Sequence, residues 1–529
     1  MTWTGLHCRV SWTSADVDTF LTTQLGPLLA ADVAAGHIGG WYFLRYWETG
    51  PHLRVRVRDA SASYVEDLTD RIAKLIANAQ HTFVDQDPSA YYASIGAPET
   101  EWLPHGDVRE VPYVPETTRY GGQEALSVSE ELFCRSTEVA LAVLPAIRTQ
   151  SAKLSAAFQL AMVTATALGF DRPGAAAWLR SLATGWRQVS EPAQPPSTGS
   201  HQAAALILSR HAPALDRQWE AEPTGAVAHW TSHLRSACAA VGPDRDHVWA
   251  SQLHMLFNRL GVTPDEERLV CWVVAASAVT PGALTPFHDD GATAPDRRYQ
   301  EASKFLPGFE EQLPHTLPEP RRSWLPRVSL PAPEDVPVSL TSALRDRASA
   351  HSWSGTLTAR QLASLLWTAQ GGSRTDRHWP HRPYPSAGAA YCARLRVAAL
   401  DVDGLEAGCY DVDEISRELI RTGPAPAVAD LEDTSVWFGP GAEPLDRTPA
   451  MLGLYVRNGF LRQKYGLRAL RFAYTEAGHL AQNLGLVAAA TGLSLGMIGG
   501  FYDDVAHDVL GLDGVDETLV YLMPLASLS

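Results

Sequence analysis

Along residues 39–58, GGWYFLRYWETGPHLRVRVR, the chain approaches and leaves a Glu48–Thr49–Gly50–Pro51 turn in short β-prone runs, and polar and apolar positions alternate in the second. Successive side chains on a strand point to opposite faces, so the pattern predicts two strands joined by a tight turn. From about Leu126 to Val279 apolar positions recur at helical spacing instead, which predicts helices. Between about Val279 and Val338 the periodicity disappears into a proline-dense stretch. Proline fixes φ and removes a donor, so such a segment neither extends a helix nor joins a central strand. It reads as a connector wrapped on a surface, with Phe305, Leu306 and Trp324 as its anchors. The shorter SEPAQPPSTGSH reads as an internal loop. Beyond the connector the pattern predicts a helix over 358–370, strands at 394–400 and 408–412, a long helix at 471–491 and a final strand at 518–524. Both halves are therefore expected to be α+β, with a first domain over 1–280, a connector over 281–338 and a second domain over 339–529.

Composition agrees with this division. A chain of 529 residues is too long for one ordinary domain, and 45% hydrophobic with 19% charged residues is near the globular average. A net charge of -16 argues against a sequence-wide nucleic-acid surface, so an acidic substrate has to be met by a local basic patch. The six cysteines are scattered without a C-x-x-C pair, which suits reduced thiols better than disulfides or a zinc site. The start lacks the form of a signal peptide, and no apolar run has the length a membrane span needs. The reading is a soluble cytoplasmic protein.

Two polar patterns carry candidate chemistry. In HLRVRVRD, Arg54, Arg56 and Arg58 share one strand face and Leu53, Val55 and Val57 the other, and Arg45 joins the arginines if the hairpin register allows. Guanidiniums grip carboxylates in bidentate fashion, although a solvated strand face explains the same spacing. In HVWASQLHMLFNRLGV, His247, Ser251, His254 and Asn258 form a polar helical stripe beside Val248, Leu256 and Leu260. A histidine there can move protons near neutral pH, or simply be a structurally bonded one.

The strings FLRYWETGPHLRVRV, PETTRYGG and HMLFNRLG, in that order, resemble the glutamate-elimination domain of class I lanthipeptide dehydratases and thiopeptide split dehydratases. The resemblance implies that glutamate is expelled from glutamylated serine or threonine of a precursor peptide, giving dehydroalanine or dehydrobutyrine. It assigns Arg54, Arg56 and Arg119 to glutamate binding, His254 to proton transfer, and Arg45, Asn258 and Arg259 to support. The sequence departs at Phe133–Cys134–Arg135–Ser136, where that family often has His-x-Asp-Ser. Related domains form the pyridine core of thiopeptides. No long region remains for glutamylation, so a separate tRNA-dependent glutamylating protein is the expected partner.

The second half resembles the nitroreductase superfamily, and within it the azoline dehydrogenases. LRDRASAHSWSG matches the phosphate end of an FMN site through Arg347, Ser349 and His351, the last replacing the usual arginine or lysine. RPYPSAGAAY supplies Ser386, Ala387 and Gly388 as flavin contacts, and GLSLGMIGGFYDD supplies Met497, Gly499 and Gly500. Lys464–Tyr465 matches the catalytic dyad of azoline oxidation, followed by the helix signature Glu476, His479, Gln482 and Asn483, with the last two assigned to cofactor binding. Glu476 and His479 have a metal-ligand spacing, but no second such motif exists, so no metal is expected. The combination resembles bifunctional thiopeptide-assembly proteins. It implies a precursor peptide as substrate, a cyclodehydratase that supplies azolines, FMN as cofactor and a homodimer, with neither nucleic acid nor membrane bound directly. The competing readings are a general flavin reductase and a peptide-binding scaffold fused to an oxidase.

Overall fold

The computed structural model describes residues 2–84, 86–95, 97–189, 198–242, 245–280, 294–304, 325–336, 338–371, 382–439 and 444–528. They form two compact units, Met1–Gln194 with Ala203–Ala283, and Pro195–Gln202 with Leu284–Ser529.

The first unit is built on an antiparallel sheet of β1 (Trp3–Arg9), β2 (Gly40–Tyr46), β3 (His52–Arg58) and β4 (Val108–Pro112), in the order β2-β3-β1-β4. The hairpin turn lies where the sequence placed it. Gly50 N–H donates to Trp47 O at 3.1 Å, and Gly50 has φ of 90°. Only glycine fits there, because a Cβ would lie 2.5 Å from the Arg9 guanidinium. Leu53, Val55 and Val57 pack with Leu6, Cys8 and Phe43 on one buried face. Helices Gly122–Val143 and Asp246–Arg259 pack on β2. The helix Pro264–Val279 follows, opened by a capping box between Thr263 and Glu266. The region from Leu126 to Val279 is helical as expected.

The second unit holds a seven-stranded antiparallel sheet of β5 (Arg327–Ser329), β6 (Ala393–Ala399), β7 (Gly408–Asp413), β8 (Glu418–Gly423), β9 (Ala450–Arg457), β10 (Leu493–Leu495) and β11 (Glu517–Ser527). Its order is β10-β11-β9-β6-β7-β8-β5. The helices Ala359–Gln370 and Ala469–Thr491 cover it, burying Leu362, Leu366, Leu480 and Leu484 against Leu395, Val397 and Leu452. All five elements read from the sequence of this half are present within a few residues.

The proline-dense stretch is more structured than its pattern suggested. Its described residues include the helix Pro295–Ala302 and the edge strand β5, a place where proline neighbours are tolerated. Phe305, Leu306 and Trp324 lie outside the described residues. Thr198–His201, read as the end of a loop, open the helix Thr198–Glu220, because the following QAAALILS run consists largely of good helix formers. All six cysteines are free thiols. Among the described residues no single helix is long and apolar enough to cross a membrane.

Candidate active sites

Strand register puts Arg54, Arg56 and Arg58 opposite Leu44, Tyr42 and Gly40 of β2 and opposite His7, Gly5 and Trp3 of β1. The three arginines are not equivalent. Arg54 pairs with Glu48 at 2.6 Å and lies 3.3 Å over the Tyr46 ring. Arg58 pairs with Glu131 at 2.9 Å. Arg56, between them, is 8% exposed and has no carboxylate partner among the described residues. Its Nη2 lies 3.4 Å from His7 Nε2. Gly5 makes room for it, since a Cβ there would stand 2.4 Å from Arg56 Nη1.

Arg259 enters the same cleft from the Asp246–Arg259 helix and is fully buried. Nε donates to Thr137 Oγ1 at 3.1 Å and Nη1 to Met255 O at 2.7 Å, while Nη2 has no partner among the described residues. Burial pushes its pKa down to about 10 and lowers that of Arg56 as well. Arg54, Tyr42, Leu44, Tyr113, Val114, Glu116, Tyr120, Phe133 and Met255 complete the lining. Two guanidiniums stripped of water and left without a carboxylate are unfavourable until an anion joins them.

Two histidines missed in the sequence flank this cluster. His52 continues the alternation of Arg54, Arg56 and Arg58, and its ring lies 4.8 Å from that of His7, tilted by 31°. Burial, with the arginines adding to it, lowers the pKa of His7 to about 3 and of His52 to about 4. Both are therefore neutral near pH 7, and His52 Nε2 accepts from Arg54 Nε at 3.3 Å.

The polar stripe of the Asp246–Arg259 helix runs past the cleft. Ser251 Oγ accepts from Arg119 Nε at 3.2 Å, and Arg119 also pairs with Glu116 at 3.3 Å. One turn on, His254 Nδ1 lies 2.7 Å from Oε2 of Glu267. His254 and Arg119 do not themselves line the cleft, whereas their neighbours Met255 and Tyr120 do. Asn258 is a brace: its amide accepts from Arg45 N and donates to Arg45 O, each at 2.9 Å, and so covers the free edge of β2. Arg45 does not join the arginine face. Register sets it opposite Leu53, and its guanidinium turns to Asp18 and to the Arg259 carbonyl.

At the departure segment, Phe133 lines the cleft, Cys134 is buried with its thiol pushed up to about 12, and Arg135 pairs with Glu131 and Glu138.

In the second unit, Gly388 has φ of 58°, and Ala389 and Tyr391 also lie in the left-handed region. Such backbone costs roughly 1–3 kcal/mol at each non-glycine residue and persists only where its surroundings hold it. Glu476 holds it here. One carboxylate oxygen accepts from Ser386 Oγ and the other from Ala393 N at 2.8 Å, while Ser386 Oγ accepts from Tyr391 N at 2.8 Å. Glu476 is 2% exposed, and burial raises its pKa. Asn483 Nδ2 donates to Pro383 O and Ala369 O, and His479 Nδ1 faces Pro385 O. The helix signature thus grips the turn.

Against this turn stands the Lys464–Tyr465 pair. A Cβ on Gly388 would fall 2.2 Å from Tyr465 Oη and 2.8 Å from Lys464 Nζ, so two motifs distant in sequence meet at one glycine. Arg347 and Met497 both pack on Gly485 of the long helix. Ala387 is half-buried, while Ser349, His351, Gln482, Gly499 and Gly500 are exposed. Trp437, which no motif indicated, is exposed beside Gly500. Among the described residues no group of three or more His, Cys, Asp or Glu side chains can hold a metal.

Residues 3–279 match the lantibiotic biosynthesis dehydratase C-terminal family, and residues 355–527 match the nitroreductase family. The class is therefore a biosynthetic enzyme domain joined to an oxidoreductase domain. The chain belongs to the lantibiotic biosynthesis dehydratase C-terminal family, which covers more than half of it, and through its second unit to the nitroreductase family. A nitroreductase-family protein of Methanocaldococcus jannaschii is 30% identical over 205 residues, 37% of this chain and 94% of its own length. Among solved structures, the pyridine synthase TbtD of thiomuracin biosynthesis is 20% identical with a TM-score of 0.43, over 53% of this chain and 98% of that one. The tRNA-dependent lantibiotic dehydratase MibB of Microbispora sp. 107891 is 22% identical with a TM-score of 0.37, over 52% of this chain and 28% of that one.

Proposed function

We propose that the chain matures a thiopeptide precursor by two reactions, glutamate elimination in the first unit and azoline oxidation in the second. The observation that carries the first is the pair Arg56 and Arg259, desolvated cations with no carboxylate bonded to either among the described residues, in a cleft whose lining Glu116 pairs with Arg119 instead. A departing glutamate supplies the missing anion. In the elimination His254 takes the α-proton of a glutamylated serine, the C–H pair becomes the Cα=Cβ bond, and the Cβ–O bond breaks. The leaving carboxylate meets the guanidiniums, with Arg119 at the rim, and charge placed in advance where it develops is the largest source of rate in such sites. Glutamylation is the work of a separate tRNA-dependent protein, and a cyclodehydratase supplies the azolines.

In the second unit the residues suit FMN. Gly388, Gly499 and Gly500 offer exposed backbone without side chains, and Arg347 offers a cation against Gly485 and Met497. When bound, FMN supplies a hydride acceptor. Arg347, Ser349 and His351 serve its phosphate end, and Ser386, Ala387, Gly388, Gln482, Met497, Gly499 and Gly500 its remainder. Asn483 braces the turn. Lys464 and Tyr465 hold and accept the proton that an azoline loses on becoming an azole. The working form is a homodimer.

One experiment tests both halves. A glutamylated, azoline-bearing peptide is incubated with the purified chain and FMN and followed by mass. Loss of glutamate reports the first reaction and loss of two hydrogens the second. If either mass change fails to appear, the corresponding assignment falls.

A further inference from the structure

We infer that Glu267 is the positioning residue of the elimination site, fixing the ring of His254 so that Nε2 is the atom that takes the α-proton. The inference rests on the elimination reading. Glu267 Oε2 lies 2.7 Å from His254 Nδ1, and Glu267 is 1% exposed. An ionised carboxylate only accepts hydrogen bonds, so the ring nitrogen facing it carries the proton and the neutral ring keeps its lone pair on Nε2.

The surroundings make this orientation rigid. Glu267 sits in the first turn of the Pro264–Val279 helix, where free N–H groups favour negative charge. The capping box of Thr263 and Glu266 fixes that turn, and Glu266 is tied in addition to Lys153 at 2.9 Å. On the other side, Asn258 bolts the histidine's helix to Arg45 of β2, and Ser251 holds Arg119. His254 is thus held by Glu267 on a helix tied at Ser251 to Arg119 and at Asn258 to Arg45. When the α-proton moves to Nε2, the ring becomes positive and faces a carboxylate that loses no proton. The C–H electron pair becomes the double bond, and the C–O pair leaves with glutamate. An aspartate orients the catalytic histidine of serine proteases by the same logic, and its amide replacement there selects the wrong tautomer.

The test uses the full chain and a glutamylated peptide. Glu267→Gln keeps the shape but lets the amide donate to Nδ1, which moves the proton onto Nε2. The expected result is a kcat for glutamate loss lowered about 100-fold or more with KM within twofold, while azoline oxidation by the same preparation is unchanged. His254→Ala is expected to lower kcat at least as far. If E267Q keeps wild-type kcat while H254A is inactive, the positioning role is overturned and the elimination reading stands. If H254A eliminates glutamate normally, His254 is not the base and the positioning role falls with it, whereas the absence of glutamate loss from the wild-type chain is the result that overturns the elimination reading. The wild-type protein gives an answer independent of variant folding. Nitrogen-15 shifts of His254, assigned by difference from H254A, should report a proton on Nδ1 and none on Nε2, and the reverse tautomer refutes the role.

Discussion

Arg54, Arg56 and Arg58 share a strand face and differ in everything else, because the carboxylates that neutralise the outer two come from elsewhere in the chain. Arg56→Ala should therefore lower the rate of glutamate loss by about 100- to 1000-fold, the usual effect of deleting a charge-stabilising donor. Arg58→Ala should change it less than about tenfold. Equal effects of the two, read by mass under single turnover, would contradict the cleft assignment. Gly5→Ala should reproduce the Arg56 defect without touching substrate, since its Cβ would stand 2.4 Å from Arg56 Nη1. A G5A chain with normal elimination would show that Arg56 can act from another position. At this scale the sequence revealed side-chain periodicity and no more. The alternation found the arginines, but Arg45 depended on register, and Glu267 and Gly5 depend on neighbours that no local pattern encodes.

Elements were more legible than contacts. The hairpin, the helical run to Val279 and the helices and strands of the second half follow from period and capping, which are local properties. The edge strand β5 was hidden because proline-rich flanks suppress the strand signal. Two predictions belong here. In the turn after β5 and before β6, Gly388→Ala meets both a left-handed φ and the hydroxyl of Tyr465. It should reduce azoline oxidation at least about tenfold with glutamate loss intact, as the two mass changes will show. In the first sheet, His7 and His52 are held neutral by burial, with pKa values lowered to about 3 and about 4 from 6.5. A depressed folded pKa gives stability that is complete above the unfolded value and is lost as pH falls through the folded one. Amide exchange in β1 and β3 should accelerate as pH drops from about 6.5 toward 4 after correction for intrinsic rates, and His7→Asn should flatten that trend. A slope unchanged in the variant would assign the effect elsewhere.

For the whole molecule, each unit carries its own sheet, core and candidate chemistry, joined in one chain. That organisation was visible early, since the proline-dense stretch interrupts every periodicity at once. Replacing Lys464 with alanine should abolish loss of two hydrogens and leave glutamate loss intact, with the mass spectrum of one peptide reporting both. Simultaneous loss of the two reactions would mean that they are coupled.

The bare charge of Arg56 and Arg259 has a consequence after the reaction is over. A cleft built to receive a departing anion also retains it, so free glutamate should act as a product inhibitor competitive with the glutamylated peptide. It should also act as a stabilising ligand. At about 100 times its Kd, binding adds about 2.7 kcal/mol to the folded state, and the melting temperature of the first unit should rise with glutamate and not with its α-amide, which lacks the departing carboxylate.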